Sequence, residues 1–121
     1  MQAKQITEKQ FMGQLIQLAK LLGWLVYHTH DSRRSVSGFP DLILLRGGRM
    51  LVVELKVGKN RANAEQVAWL REFSKTGAFV AVWTPEHWGE IQVVLGDAPI
   101  LTRKSELGNR NSELMNGQSF Q

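Results

Sequence analysis

Phe11, Leu15, Leu18, Ala19 and Leu22 recur at helical spacing, and Thr7 with Gln10 forms the signature of a capping box just ahead of them. This predicts an amphipathic first helix over about residues 8 to 22, stopped by Gly23. The segment Trp24 to His28 is rich in strand formers, and the loop THDSRRSVSG after it is polar and basic. Two nearly continuous apolar runs follow, about Asp41 to Arg46 and Met50 to Val57. They are joined at Gly47-Gly48, a pair that readily supplies the positive φ values of a tight hairpin turn. Both runs are apolar on both faces, the pattern of central strands covered by helices on each side. Asn63 can cap a second helix, about 64 to 75, closed by Gly77, and AFVAVW then reads as a fourth buried strand. Pro85 opens a short final helix ending near Leu95. The order helix, three strands, helix, strand, helix indicates an α/β domain over residues 1–95. From Gly96 to Gln121 the chain turns polar, which predicts a flexible tail or a dimer arm.

Three charges interrupt the hairpin. With the turn at Gly47-Gly48, Arg46 pairs with Arg49, Leu45 with Met50, and Asp41 falls opposite Glu54. Opposed residues share a face with Cβ atoms roughly 4.5 to 5.5 Å apart, and Lys56 joins that face because strand side chains alternate with period two. Two carboxylates so close repel each other unless something compensates. A divalent cation does so, and hard oxygen ligands with water in the remaining positions suit Mg²⁺ or Mn²⁺. Such an ion polarises a phosphoryl oxygen and activates water, while Lys56 neutralises charge building up at phosphorus. The alternative is a turn aspartate beside an ordinary Glu54–Lys56 ion pair. Glu8 and Gln66 lie on the apolar stripes of their helices and should turn toward the sheet. Glu8 also reads as a first-turn acid favoured by the helix dipole, and Gln66 as a cap.

Composition narrows the chemistry. The chain has 121 residues, no cysteine and a formal charge of +4, which excludes disulfides and thiolate chemistry. No apolar run approaches a membrane span and the N-terminal segment lacks the apolar core of a signal peptide, so a cytoplasmic protein is expected. Between Arg33 and Arg61 lie seven basic residues (Arg33, Arg34, Arg46, Arg49, Lys56, Lys59, Arg61) against two acids (Asp41, Glu54). Such a patch attracts a polyanion, with nucleic acid the leading candidate. Arg33 and Arg34, with Lys59, Asn60 and Arg61 just past the hairpin, could clamp phosphates on either side of the site, the alternative for each charge being a solvated loop position. His28 and His30, two alternate residues without a nearby third ligand, are weak evidence for a metal.

The motifs GFPDLILL, VVELK and AEQVAWL, in that order and spacing, resemble the PD-(D/E)xK nuclease superfamily, and in particular its VRR-NUC branch. The likeness runs from about Thr7 to Leu95. It implies a restriction-endonuclease-like αβββαβ core, a mixed central sheet flanked by helices, and metal-dependent hydrolysis of DNA phosphodiester bonds. By motif, Asp41, Glu54, Lys56 and Gln66 are then the catalytic residues. Asp41, Glu54, the Leu55 carbonyl and Glu8 are the implied ligands of Mg²⁺ or Mn²⁺. Stand-alone members of this branch look like homodimers acting on branched DNA such as Holliday junctions, in bacterial or phage-infected cells. A catalytically silent DNA-binding module is the alternative that the basic patch leaves open.

Overall fold

The computed structural model describes residues 5–30 and 36–96. Arg33, Arg34 and the tail beyond Gly96 therefore lie outside the described residues. The first helix, α1 (Glu8–Leu21), opens with the predicted capping box: Thr7 Oγ1 accepts the Gln10 N–H at 3.0 Å, and Gln10 Oε1 accepts that of Thr7 at 2.9 Å. Strands β1 (Leu25–His28), β2 (Leu42–Arg46) and β3 (Arg49–Leu55) form an antiparallel meander. Helix α2 (Ala64–Ser74) crosses to β4 (Phe79–Trp83), which pairs in parallel with β3. A 3₁₀ turn at Pro85–His87 leads into α3 (Trp88–Gly96). The αβββαβ order expected from the sequence is the order observed, and the strands lie side by side in sequence order.

Period-two alternation along β3 divides its residues between two layers. Leu51, Val53 and Leu55 pack with Leu42, Leu44, Trp83 and Trp24 against Phe11, Leu15 and Ala19 of α1 and Ile91 and Leu95 of α3. Val52 and Glu54 face the other way, toward the layer of α2, where Leu70 is buried. Trp24 is a core residue rather than part of the first strand, and its indole Nε1 donates to the Leu95 carbonyl at 2.9 Å, tying α3 to the end of α1.

One expectation needs correction. The segment AFVAVW predicts a fourth buried strand, but β4 is an edge strand in which only Trp83 is buried, with Phe79 and Val82 both 38% exposed. Its apolar pattern reflects pairing with β3 along one edge, Trp83 and Ala81 packing on the α1 and α3 core, and Val80 and Val82 facing α2 on the other side. The cover over β1 and β2 is one-sided as well. Leu25 (72% exposed), Tyr27 (56%) and Leu45 (45%) stand on the α2 side beyond the reach of that helix.

Candidate active site

The hairpin turn forms at the glycine pair, with φ of +56° at Gly47 and +80° at Gly48, values that a side chain with a Cβ rarely adopts. From it the ladder runs Arg46–Arg49, Leu45–Met50, Leu44–Leu51, Ile43–Val52 and Leu42–Val53. Asp41 is the next residue, one position before β2, and it continues that register toward Glu54. Here the main-chain ladder gives way to a side chain, because Asp41 Oδ2 accepts the Leu55 N–H at 2.8 Å. On its other edge the Asp41 carbonyl accepts the Thr29 N–H at 3.0 Å, and Thr29 Oγ1 donates to the Pro40 carbonyl at 3.0 Å. The aspartate is thus held from both neighbouring strands. In a strand the N–H and C=O of one residue leave on the same edge, so the Leu55 carbonyl emerges on the edge of β3 that Asp41 occupies.

Glu54 is 1% exposed and is the sole buried charged side chain among the described residues. Its Oε2 lies 3.2 Å from Lys56 Nζ, and its Oε1 is buried without a hydrogen-bond partner among the described residues. Burial first, and then the Asp41 charge, push the Glu54 carboxyl up to about 7, against the pull of Lys56. Burial also raises Asp41, opposed by the Leu55 amide and by Lys56. Glu8, at the start of α1, is raised by burial and by Asp41 and lowered by Lys56, so it lies within electrostatic reach of the same cluster. Among the described residues three carboxyls share one ammonium, which leaves an excess of negative charge there.

The site fits a divalent cation on two observations. An orphaned buried carboxylate oxygen is costly unless something positive meets it, and the neighbouring acid supplies a second hard donor. Among the described residues no three His, Cys, Asp or Glu side chains come close enough to hold an ion together. The residues that could hold an ion are therefore the two acids of the hairpin and the Leu55 carbonyl, with Glu8 an electrostatic neighbour of that set.

Gln66 caps its helix and also faces a cavity beside Asp41. Its Oε1 accepts the Asn63 N–H, and its own N–H donates to Asn63 Oδ1, each at 2.9 Å, so it caps α2. It also lines a cavity of about 220 Å³ with Asp41, Thr29 and His30. The approach to Asp41 is clamped onto α2. Ser37 Oγ donates to Glu65 Oε1, Trp69 Nε1 donates to the Ser37 carbonyl at 3.1 Å, and Phe39 meets Trp69 edge-on with centroids 5.1 Å apart. Gly38, at φ +85°, passes so close that a Cβ there would sit 2.7 Å from the Glu65 main-chain carbon. Gly38→Ala is expected to lower stability by about 1–3 kcal/mol and to misplace Asp41. Thermal unfolding and cleavage rate should fall together, and an unchanged melting temperature would show that the clamp is slack.

On the other side of Lys56 an open groove of about 920 Å³ is lined by Lys56, Lys59, Arg61 and His87 among others. Lys59 and Arg61 are thus brought beside Lys56, as their spacing from the hairpin suggests. Asn60 lines the same groove as its spacing suggests, whereas His87 and Thr84 were not singled out by sequence. They reach it because β4 runs parallel to β3 with Leu55 opposite Trp83, and Lys56 N–H donates to the Trp83 carbonyl at 3.0 Å. His28 and His30 stack with centroids 4.1 Å apart, and no third ligand joins them among the described residues.

The VRR-NUC domain family matches residues 2–85 of the chain. Among solved structures, a VRR-NUC domain protein is 23% identical, with a TM-score of 0.59 over 78% of this chain and 93% of its own. A second VRR-NUC domain is 30% identical over 58% of this chain and 80% of its own, with a TM-score of 0.46. Archaeoglobus fulgidus Hjc, a Holliday junction resolvase, is 28% identical over 61% and 64%, with a TM-score of 0.44. Curated proteins gave no match. The first of these likenesses agrees with the mixed four-stranded sheet and its flanking helices in assigning a restriction-endonuclease-like fold. The family match spans α1, the hairpin with its acids and lysine, α2 and β4, and on that ground the chain belongs to the VRR-NUC family of nucleases.

Proposed function

We propose that the protein is an endonuclease that hydrolyses DNA phosphodiester bonds with Mg²⁺ or Mn²⁺, acting as a homodimer on branched DNA such as four-way junctions. The observation that carries this reading is Glu54, a buried carboxylate with an orphaned oxygen beside Asp41 and Lys56. Asp41, Glu54 and the Leu55 carbonyl would hold the ion, with Glu8 adding negative charge to the pocket. When bound, the ion supplies charge neutralisation and water activation.

The residues of the chain do the rest. The Leu55 amide and Thr29 keep Asp41 in place. Lys56, 3.2 Å from Glu54, sets its ammonium where negative charge accumulates at phosphorus. Gln66 has its carbonyl committed to the helix cap, which leaves its amide nitrogen to donate to a phosphate oxygen or to the attacking water. Lys59 and Arg61, with Arg33 and Arg34, would bind backbone phosphates. The uncovered strip of Leu25, Tyr27 and Leu45 supports a dimer, as apolar surface that a second copy would cover.

Incubating the protein with end-labelled linear, flap, splayed and four-way DNA in Mg²⁺, Mn²⁺ or EDTA tests this. Cleavage in both metals, none in EDTA, and fastest cutting of the four-way form are expected. Equal cutting of all shapes would remove the preference for branches. Binding without cleavage in any metal would favour a silent DNA-binding module.

A further inference from the structure

Three helical segments of this chain begin with the same device, and the third uses a different residue. At α1 and α2 the side-chain acceptor for the cap N–H is a glutamine, Gln10 or Gln66. At the Pro85–His87 turn the acceptor is His87, whose Nδ1 accepts the Thr84 N–H at 2.9 Å and lies 3.1 Å from Thr84 Oγ1. An N–H can only donate, so this Nδ1 carries a lone pair and the neutral ring holds its proton on Nε2. Nε2 has no partner among the described residues, since the two contacts of the ring are both at Nδ1. The ring lines the groove that Lys56, Lys59 and Arg61 also line, and among the described residues no carboxylate lines it with them.

We propose that His87 is a phosphate-binding residue, its Nε2–H donating to a non-bridging oxygen of a DNA strand that lies in the groove beside Lys56. The helix cap locks the tautomer that makes Nε2 the donor, so the ring is oriented before DNA arrives. A glutamine suffices for the cap elsewhere in the chain, whereas a histidine adds a rigid donor. The parallel pairing of β3 with β4 sets this ring in the groove that the lysine lines, apart from the Asp41 and Gln66 cavity. The strand would then be held on both sides of the bond to be cut. This assignment rests on the nuclease reading.

The test uses the full chain and a labelled four-way junction in Ca²⁺, under conditions where gels show the strands uncut, with melting temperatures measured in parallel. His87→Glu keeps a cap acceptor, since glutamate is the usual capping-box partner, but puts a negative charge where the donor stood. His87→Gln keeps both the acceptor and a neutral donor. Gln92→Glu, exposed on α3, adds the same charge outside the groove. His87→Glu should raise the Kd about tenfold, the scale of a lost hydrogen bond to a charged group. His87→Gln and Gln92→Glu should stay within about twofold of the native protein, and all three should melt close to it. The proposal is overturned if His87→Glu binds like the native protein, if Gln92→Glu weakens binding as much, or if binding falls only in step with the melting temperature. If the native chain binds no DNA, the nuclease reading fails first and this assignment with it.

Discussion

Glu54→Gln is expected to abolish strand cleavage while making the metal-free protein more stable at neutral pH. The two effects have one cause. In the native chain Glu54 is buried, its Oε1 has no partner, and Asp41 adds a like charge beside it. An ionised carboxylate in that position is costly to fold. Glutamine keeps the shape, removes the charge and leaves an amide that ligates a hard cation poorly. Cleavage should fall by at least about a thousandfold, the scale on which removing an electrostatic element of a site acts, and the melting temperature in EDTA should rise at pH 7.5. Full cleavage by the purified variant would sink the assignment of Glu54. A lower melting temperature would instead mean that Lys56 and Glu54 form a net stabilising pair.

The metal-free protein should also lose stability as pH rises from about 4.5 to about 7, the opposite of ordinary acid unfolding. Glu54 is pushed from 4.5 up to about 7 in the fold, so the folded state binds its proton more tightly than the unfolded chain does. Its contribution is complete below 4.5 and is lost as pH climbs through about 7. The size is on the order of 3 kcal/mol. Asp41 and Glu8, raised in the same direction by burial, add to the trend. Mg²⁺ at about a hundred times its Kd should restore about 2.7 kcal/mol above pH 7, where the ion takes the place of the proton. Denaturant titrations from pH 5 to 8, with EDTA and with Mg²⁺, measure both curves. A flat EDTA curve would show that Glu54 is not strained, and Glu54→Gln should flatten it.

Much of the site was legible from the hairpin alone. A two-residue glycine turn joins strands that are adjacent in sequence, so the pairing of Asp41 toward Glu54 follows from local geometry, and Lys56 follows from the period of two. The caps were equally local: Thr7 with Gln10, and Asn63 capping α2, form as their spacing predicts. The fourth strand lies at the edge despite its sequence because a continuous apolar run does not distinguish an edge strand from a central one. Burial of β4 depends on whether another strand lies beyond it, and among the described residues none does. His87 left no signal, since it enters the groove through a pairing between strands separated by a whole helix.

The sequence by itself determined the elements, the hairpin register and the trio of Asp41, Glu54 and Lys56, because each rests on contacts between residues close along the chain. Tertiary structure decided the environment of that trio. Docking α1 and α3 beneath the sheet and α2 above it buried Glu54 to 1% exposure, brought Glu8 within reach and clamped Gly38 against Glu65. The parallel register of β3 and β4 then placed Thr84 and His87 beside Lys56. These arrangements depend on which apolar faces meet across long stretches of chain. Burial, which turns three charges of a hairpin into a strained site, arises only once those faces have closed.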